Sequence, residues 1–258
     1  MKRKETISEV ENKRIAQLIE TIHRENPDKG YRRIRDDLAH DFNTKVNDKR
    51  VLRICRQLDI KSTIKYSSHG CTRQAANPQH IAENLLNRDF HANKPNEKWL
   101  TDVTEFKYYI GFEKHKIYLS AILDLYDRRI VSFIIRDRND NSLVYDTFDA
   151  AVTANPSAHP LFHSDRGYQY TNRTFHGMLV KASMTPSMSR VGKCIDNGPM
   201  EGFWGILKRE RYYGKQFKDR ESLVDMIKLY IIYYNTKRVQ RNLGVLTPCE
   251  KHEMYLAA

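Results

Sequence analysis

An acidic residue set in the middle of a strand-forming run constrains this chain more than any other feature. Trp99-Leu-Thr-Asp-Val-Thr-Glu-Phe106 is rich in β-branched and aromatic residues, yet Asp102 sits at its centre. Aspartate is depleted in strands and a carboxylate is not buried without a partner, so a strand that keeps one points to a site rather than to filler. A second acid closes the short apolar run Leu161-Phe-His-Ser-Asp165. A third follows a glycine-bearing loop, in Asp196-Asn-Gly-Pro-Met-Glu201-Gly-Phe-Trp-Gly-Ile-Leu-Lys208. There Asp196 or Asn197 is expected to cap a helix. Pro199 suits its first turn, where a missing N–H costs nothing, and Glu201 falls near the helix start. Lys208 lies two turns further on, so the spacing predicts an acid and a base on one face about 10 Å apart. Such a pair by itself reads as solvated surface charge; the two upstream acids argue otherwise.

The rest of the chain divides by pattern. Apolar residues at helical spacing over 9–24, a stop at Asn26-Pro-Asp-Lys-Gly30, a helix over 31–40 and a third after Asn47-Asp48 predict three short helices with basic outer faces. They are expected to form a helix-turn-helix-like DNA-binding domain over 1–60, with Arg53 and Arg56 as phosphate contacts, although a solvated bundle shows the same pattern. Residues 61–94 read as a basic linker containing a short helix over 81–88. A core over 95–240 follows. Strand-like runs at 98–109, 116–124 and 130–136, turning at Gly111 and Asp127-Arg-Arg129, predict an antiparallel meander. A helix over 141–154, a strand over 159–164, a helix over 172–181, a strand over 185–188 and a long helix over 220–238 complete it, leaving 241–258 as a tail.

A net charge of +12 in 258 residues favours a polyanionic partner, and no apolar run long enough to span a membrane occurs, so nucleic acid rather than membrane is expected. The polar start Met1-Lys-Arg-Lys-Glu lacks the apolar region of a signal peptide, which predicts residence in the cytosol. Cys55, Cys71, Cys194 and Cys249 are far apart, so neither a disulfide framework nor a cysteine-rich zinc site is indicated. His159 and His163, with Pro160 between them and no paired cysteines, do not indicate zinc either.

The blocks WLTDVTEF, FHSDRGYQY and DNGPMEGFWGILKRE together resemble the Asp-Asp-Glu core of insertion-sequence transposases, in particular the downstream-frame product of the IS-three family, which is similar to the retroviral integrase core. Between Asp165 and Glu201 lie 35 residues, the spacing that marks this superfamily. Gly30-Tyr-Arg-Arg-Ile34 with Val46–Val51, and Arg241-Asn-Leu243 with Leu246–Glu250, are similar to the family's flanking segments, so the resemblance runs from about residue 28 to 252. It implies an α/β ribonuclease H-like core, a mixed five-stranded sheet with flanking helices behind the small all-α domain, and the order of strands and βα units agrees. It further implies that Asp102, Asp165 and Glu201 hold two Mg²⁺ ions, with Mn²⁺ able to substitute and Asp102 bridging them. The reaction implied is cleavage of DNA at element ends and transfer of 3′-hydroxyls to target DNA. Lys208 would contact the terminal phosphates or bases. Gly192 and Gly198 would let the loop 189–198 close over DNA, with Arg190 and Lys193 touching phosphates. Expected partners are element-end and target DNA, further copies of the chain on that DNA, and an upstream-frame transposase product. A non-catalytic DNA-binding modulator of a fused transposase and a purely hydrolytic nuclease are the alternatives. Asp124, Asp127 and Asp196 compete for places in the triad. Where the family commonly follows its glutamate with serine and phenylalanine, this chain has Gly202, Phe203 and Trp204.

Overall fold

The computed structural model describes residues 6–64 and 78–258, so residues 65–77 of the predicted linker lie outside the described residues. These residues form two compact units, one of 6–64 with 237–247 and one of 78–236 with 248–258.

The first unit holds helices α1 (Ile7–Glu25), α2 (Tyr31–His40) and α3 (Asp48–Gln57). Thr6 and Glu9 open α1 by a reciprocal box in which each side chain accepts from the other's backbone N–H, and Asn47 opens α3 by accepting from Arg50 N at 2.7 Å. Ile15, Ile19 and Ile22 fall on one face of α1 and bury against Ile34, Leu38, Val51 and Ile54. Residues 237–247 cluster with these helices through Arg241, whose Nε donates to both Asp36 oxygens at 2.8 and 3.0 Å and whose second nitrogen reaches Asp48 at 3.1 Å.

The second unit is a five-stranded sheet in the order β3-β2-β1-β4-β5. Strands β1 (Lys98–Ile110), β2 (Glu113–Asp124) and β3 (Ile130–Arg136) form the expected meander, turning first at Gly111, whose φ of 59° favours glycine. Helix α4 (Asn141–Ala154) leads to β4 (Leu161–Ser164), parallel to β1, and α5 (Arg173–Lys181) leads to β5 (Thr185–Met188), parallel to β4. Helices α6 (Gly198–Leu207) and α7 (Arg220–Thr236) cover one face of the sheet, where Leu100, Phe106 and Leu119 meet Phe203, Leu207 and Ile227. On the other face α4 and α5 pack Phe148 and Phe175 against Trp99 and Phe162. Thus even-numbered residues of β1 such as Leu100 look toward α6 and α7, and Trp99 looks toward α4 and α5.

One expectation is corrected. Residues 81–88 form no helix; they run beside β5, where Leu86 N donates to Ser187 Oγ and Met188 N to the Glu83 carbonyl. The expected tail contains helix α8 (Pro248–Leu256), fastened where His252 Nδ1 meets Asp127 Oδ2 at 2.7 Å.

Within the helical unit, Lys29 Nζ and Asp37 Oδ2 stand 2.6 Å apart with side chains only 8% and 4% exposed. Removing one member of such a pair strands a buried charge, whereas replacing both with apolar groups is close to neutral. Lys29→Met is therefore expected to lose about 3–5 kcal/mol in urea denaturation, and Lys29→Met with Asp37→Leu to regain most of it.

Candidate active site

The parallel pairing of β1 and β4 explains the first spacing in the sequence. Lys98 pairs with Leu161 and Leu100 with His163, an offset of 63 residues. Asp165 follows Asp102 by the same 63, two positions beyond the last paired residues, and its charge acts on Asp102. Asp102, Thr104 and Phe106 project on the α6 side of β1, and α6 runs along them. Trp204 Nε1 donates to Asp102 Oδ2 at 3.0 Å, and Lys208 Nζ donates to Thr104 Oγ1 at 2.7 Å. The fit is metrical: four helical residues rise about 6 Å, and two strand residues span about 6.6 Å. Glu201 stands one turn before Trp204, exposed at the helix start.

The electrostatics follow from this crowding. Half-buried Asp102 is raised to about 8, first by desolvation and then by the charges of Asp165 and Glu201, against hydrogen bonds from Val103 N and Trp204. Asp165 and Glu201 are also raised, both chiefly by desolvation. Fully buried Tyr170 is driven well above the usual phenol value by burial and by the same two aspartates. Among the described residues, no Lys or Arg forms an ion pair with Asp102, Asp165 or Glu201.

The remaining predicted residues divide. Lys208 does not stand free in solvent: besides its bond to Thr104 it lies 5.0 Å from the Phe106 ring centre, and burial lowers its pKa. Arg190 turns inward, its Nε and second nitrogen each 2.8 Å from the oxygens of Asp196. Asp196 is completely buried, also accepts from Arg88 and Asn84, and is held far below the usual carboxylate range, first by Arg190. It therefore neither caps α6 nor joins the acid pair. Asn197 takes the cap position without a side-chain cap and instead donates to the Thr101 carbonyl at 3.0 Å. Lys193 is exposed on the loop, and Arg53 and Arg56 are exposed on α3. Asp124 and Asp127 are buried turn residues, accepting from the backbone of Asn96 and Tyr126 and from that of Arg129.

Sequence reasoning missed the indole bond to Asp102, the Asp196 hub and the role of Gly167. Gly167 N donates to Asp165 Oδ1 at 2.8 Å, and a Cβ there would come within 3.0 Å of that oxygen. The one available signal was the unusual Trp204.

The site suits a hard divalent cation in its donors. Its acids offer only oxygen, come from separate elements, and repel one another with no protein cation between them. Among the described residues no group of three or more His, Cys, Asp or Glu side chains lies close enough together to hold a metal ion. Nor is any helix among the described residues long and apolar enough to cross a membrane.

The chain is similar to known proteins over most of its length. Integrase core domain families match residues 92–194 and 201–256, and an HTH-like domain family matches 9–67. The chain is 37% identical over 245 residues to InsK of insertion sequence element IS150 from Escherichia coli K12, covering 94% of this chain and 84% of that protein. It is 31% identical over 254 residues to the transposase for insertion sequence element IS904 from Lactococcus lactis, covering 96% and 97%. In fold it resembles a simian T-cell lymphotropic virus intasome structure solved with the PP2A regulatory subunit B56 gamma, with a TM-score of 0.51 and 19% identity over 92% of this chain and 74% of that one.

The raised Asp102 fixes a pH dependence. An unfolded chain releases this proton near pH 4, while the folded one keeps it to about 8. Its contribution to stability is therefore complete below about pH 4 and is lost as the pH rises toward 8. Asp124, raised by burial to about 7, adds a slope of the same sign. His163, lowered by burial to about 4, adds a slope of opposite sign up to about 6.5, so the difference is the test: in calorimetry with a chelator present, the thermal midpoint of wild type relative to Asp102→Asn is expected to fall between pH 4 and 8, and equal slopes would sink the assignment.

Proposed function

Because the chain belongs to the insertion-sequence transposases that carry an integrase core, we propose that it is their DNA-cutting and strand-joining subunit, acting at element ends and transferring 3′-hydroxyls to target DNA. The observation that carries the reading is the shared offset of 63 residues, which brings Asp102 beside Asp165 at the end of β4. Asp102, Asp165 and Glu201 are the proposed catalytic acids. Magnesium, with manganese able to substitute, would when bound to them activate the attacking water or 3′-hydroxyl and stabilise the leaving oxygen. The protein's own part is to hold Asp102 by two donors and Asp165 by the Gly167 N–H, and to present Glu201 from a helix start. Lys208, once released from Thr104, and Lys193 are proposed DNA contacts beside the acids, whereas Arg190 supports the loop through Asp196. Arg53 and Arg56 are proposed phosphate contacts of the helical unit, and joining two DNA ends to a target calls for more than one copy of the chain. An upstream-frame transposase product remains a proposed partner.

A Y-shaped oligonucleotide that mimics a joined element end tests the chemistry with little demand on end recognition. Wild type in Mg²⁺ or Mn²⁺ is expected to reseal the target strand, with Asp102→Asn and Glu201→Gln slower by at least about 100-fold, or about 2.7 kcal/mol of barrier. No resealing with DNA binding intact would favour the non-catalytic DNA-binding alternative; cutting without resealing would favour a nuclease. Arg53→Ala with Arg56→Ala should weaken duplex binding and reduce the slope of log affinity against log salt by about 2, measured by fluorescence anisotropy.

A further inference from the structure

We propose that Trp204 is a positioning residue for the strand-joining reaction: its indole N–H fixes the orientation of the Asp102 carboxylate and sets the helix carrying Glu201 against the strand carrying Asp102. The inference rests on the catalytic reading of Asp102. Trp204 is 6% exposed, and its indole carries one donor and no acceptor. That donor meets Oδ2 of Asp102 at 3.0 Å, while Oδ1 accepts from Val103 N at 2.8 Å. With one donor on each oxygen, the carboxylate cannot turn about its own axis without breaking a bond. The bond to Oδ2 also spans two elements, since Trp204 and Glu201 share one face of α6. The other tryptophan offers a contrast: Trp99, fully buried, gives its N–H to the neutral amide oxygen of Asn96 in its own entry turn. Of the two, only Trp204 directs its donor at an acid of the site.

Trp204→Phe separates the bond from the packing, because phenylalanine retains the ring contact with Phe203, 5.1 Å between centres, and has no donor. Circular dichroism and affinity for the branched oligonucleotide are expected to stay within about two-fold of wild type. Resealing should slow by about 10- to 100-fold, and Mn²⁺ affinity, measured by the paramagnetic resonance of free Mn²⁺, should weaken by about 10-fold, the range found when a group that orients a metal ligand is removed. Unchanged resealing and unchanged Mn²⁺ affinity would overturn the proposal and leave Trp204 a packing residue. If the phenylalanine variant misfolds, β-(3-benzothienyl)alanine at 204 keeps the indole shape with sulfur in place of N–H, and the same two outcomes decide. If wild type itself fails to reseal, the proposed function falls and Mn²⁺ affinity decides alone: weakened in the variant supports the positioning role; equal, or no Mn²⁺ bound by wild type, overturns it.

Discussion

The parallel pairing of β1 with β4 is the constraint on which the catalytic unit depends. Parallel neighbours run toward the same edge of a sheet, so a residue partway along the longer strand lies beside the residue that follows the shorter one. Here β4 stops at Ser164 while β1 continues to Ile110. Beyond that stop one side of β1 is unpaired, and Asp102 and Asp165 flank the opening. A crevice at the carboxyl end of a parallel strand is where open α/β sheets bind their ligands. The same arrangement forces two carboxylates together in a partly desolvated place, and the raised Asp102 records the repulsion.

Such repulsion persists only where the surrounding structure holds it, and the supports are polar and buried. His163, two residues before Asp165, is fully buried with one ring nitrogen 2.9 Å from Ser187 Oγ and the other 3.0 Å from Ser189 Oγ, and desolvation lowers it to about 4. It stays neutral and joins β4 to the strand beside it. Asp196 draws Arg190, Arg88 and Asn84 around one carboxylate, which closes the loop before α6 against the chain that precedes the core. Arg190 thus holds the loop through Asp196 with 46% of its side chain still exposed.

Local periodicity made most of the fold legible. The three N-terminal helices, the meander and the βα order all follow from apolar spacing and turn residues, because those elements bury one face or alternate along a strand. One expected helix is absent, and one helix was not read. Residues 81–88 have helix-like composition, yet tertiary bonds from Leu86 N to Ser187 and from Met188 N to the Glu83 carbonyl hold them out of a helix, and no window of sequence contains those partners. In 241–258, a stretch of 18 residues divided between two units and ending in α8 does not show one period. At the site, the positions of the acids were legible from motif and spacing. Their fastening was not: the partners of Asp196 lie up to 112 residues away, and Trp204 finds its acceptor 102 residues upstream.

The contacts between α6 and β1 show why a single bond at Trp204 has leverage on Glu201. Trp204, Lys208 and Tyr212 recur every fourth residue and engage Asp102, Thr104 and the backbone of Lys107 in turn, Tyr212 Oη lying 2.9 Å from Lys107 N and 3.1 Å from its carbonyl. An ordinary helix continuing past Leu207 would not keep that alignment with a twisting strand. Lys208–Tyr212 instead forms a wider π-helical turn, which admits one more residue per turn and rotates the residues beyond it. Glu210 is thereby turned inward to accept from Tyr230 Oη at 2.9 Å, and Arg211 lies over Tyr230 and Tyr233. The lower part of the helix is therefore anchored through Lys208, Glu210, Arg211 and Tyr212, none of which touches the acids. The first turn of α6 is tied to β1 on both sides of Glu201, by Asn197 donating to the Thr101 carbonyl and by Trp204 donating to Asp102. Loss of the Trp204 bond leaves Asp102 with the Val103 N–H as its remaining donor and removes one of the two polar ties beside Glu201, while the packing of Met200 and Phe203 stays in place.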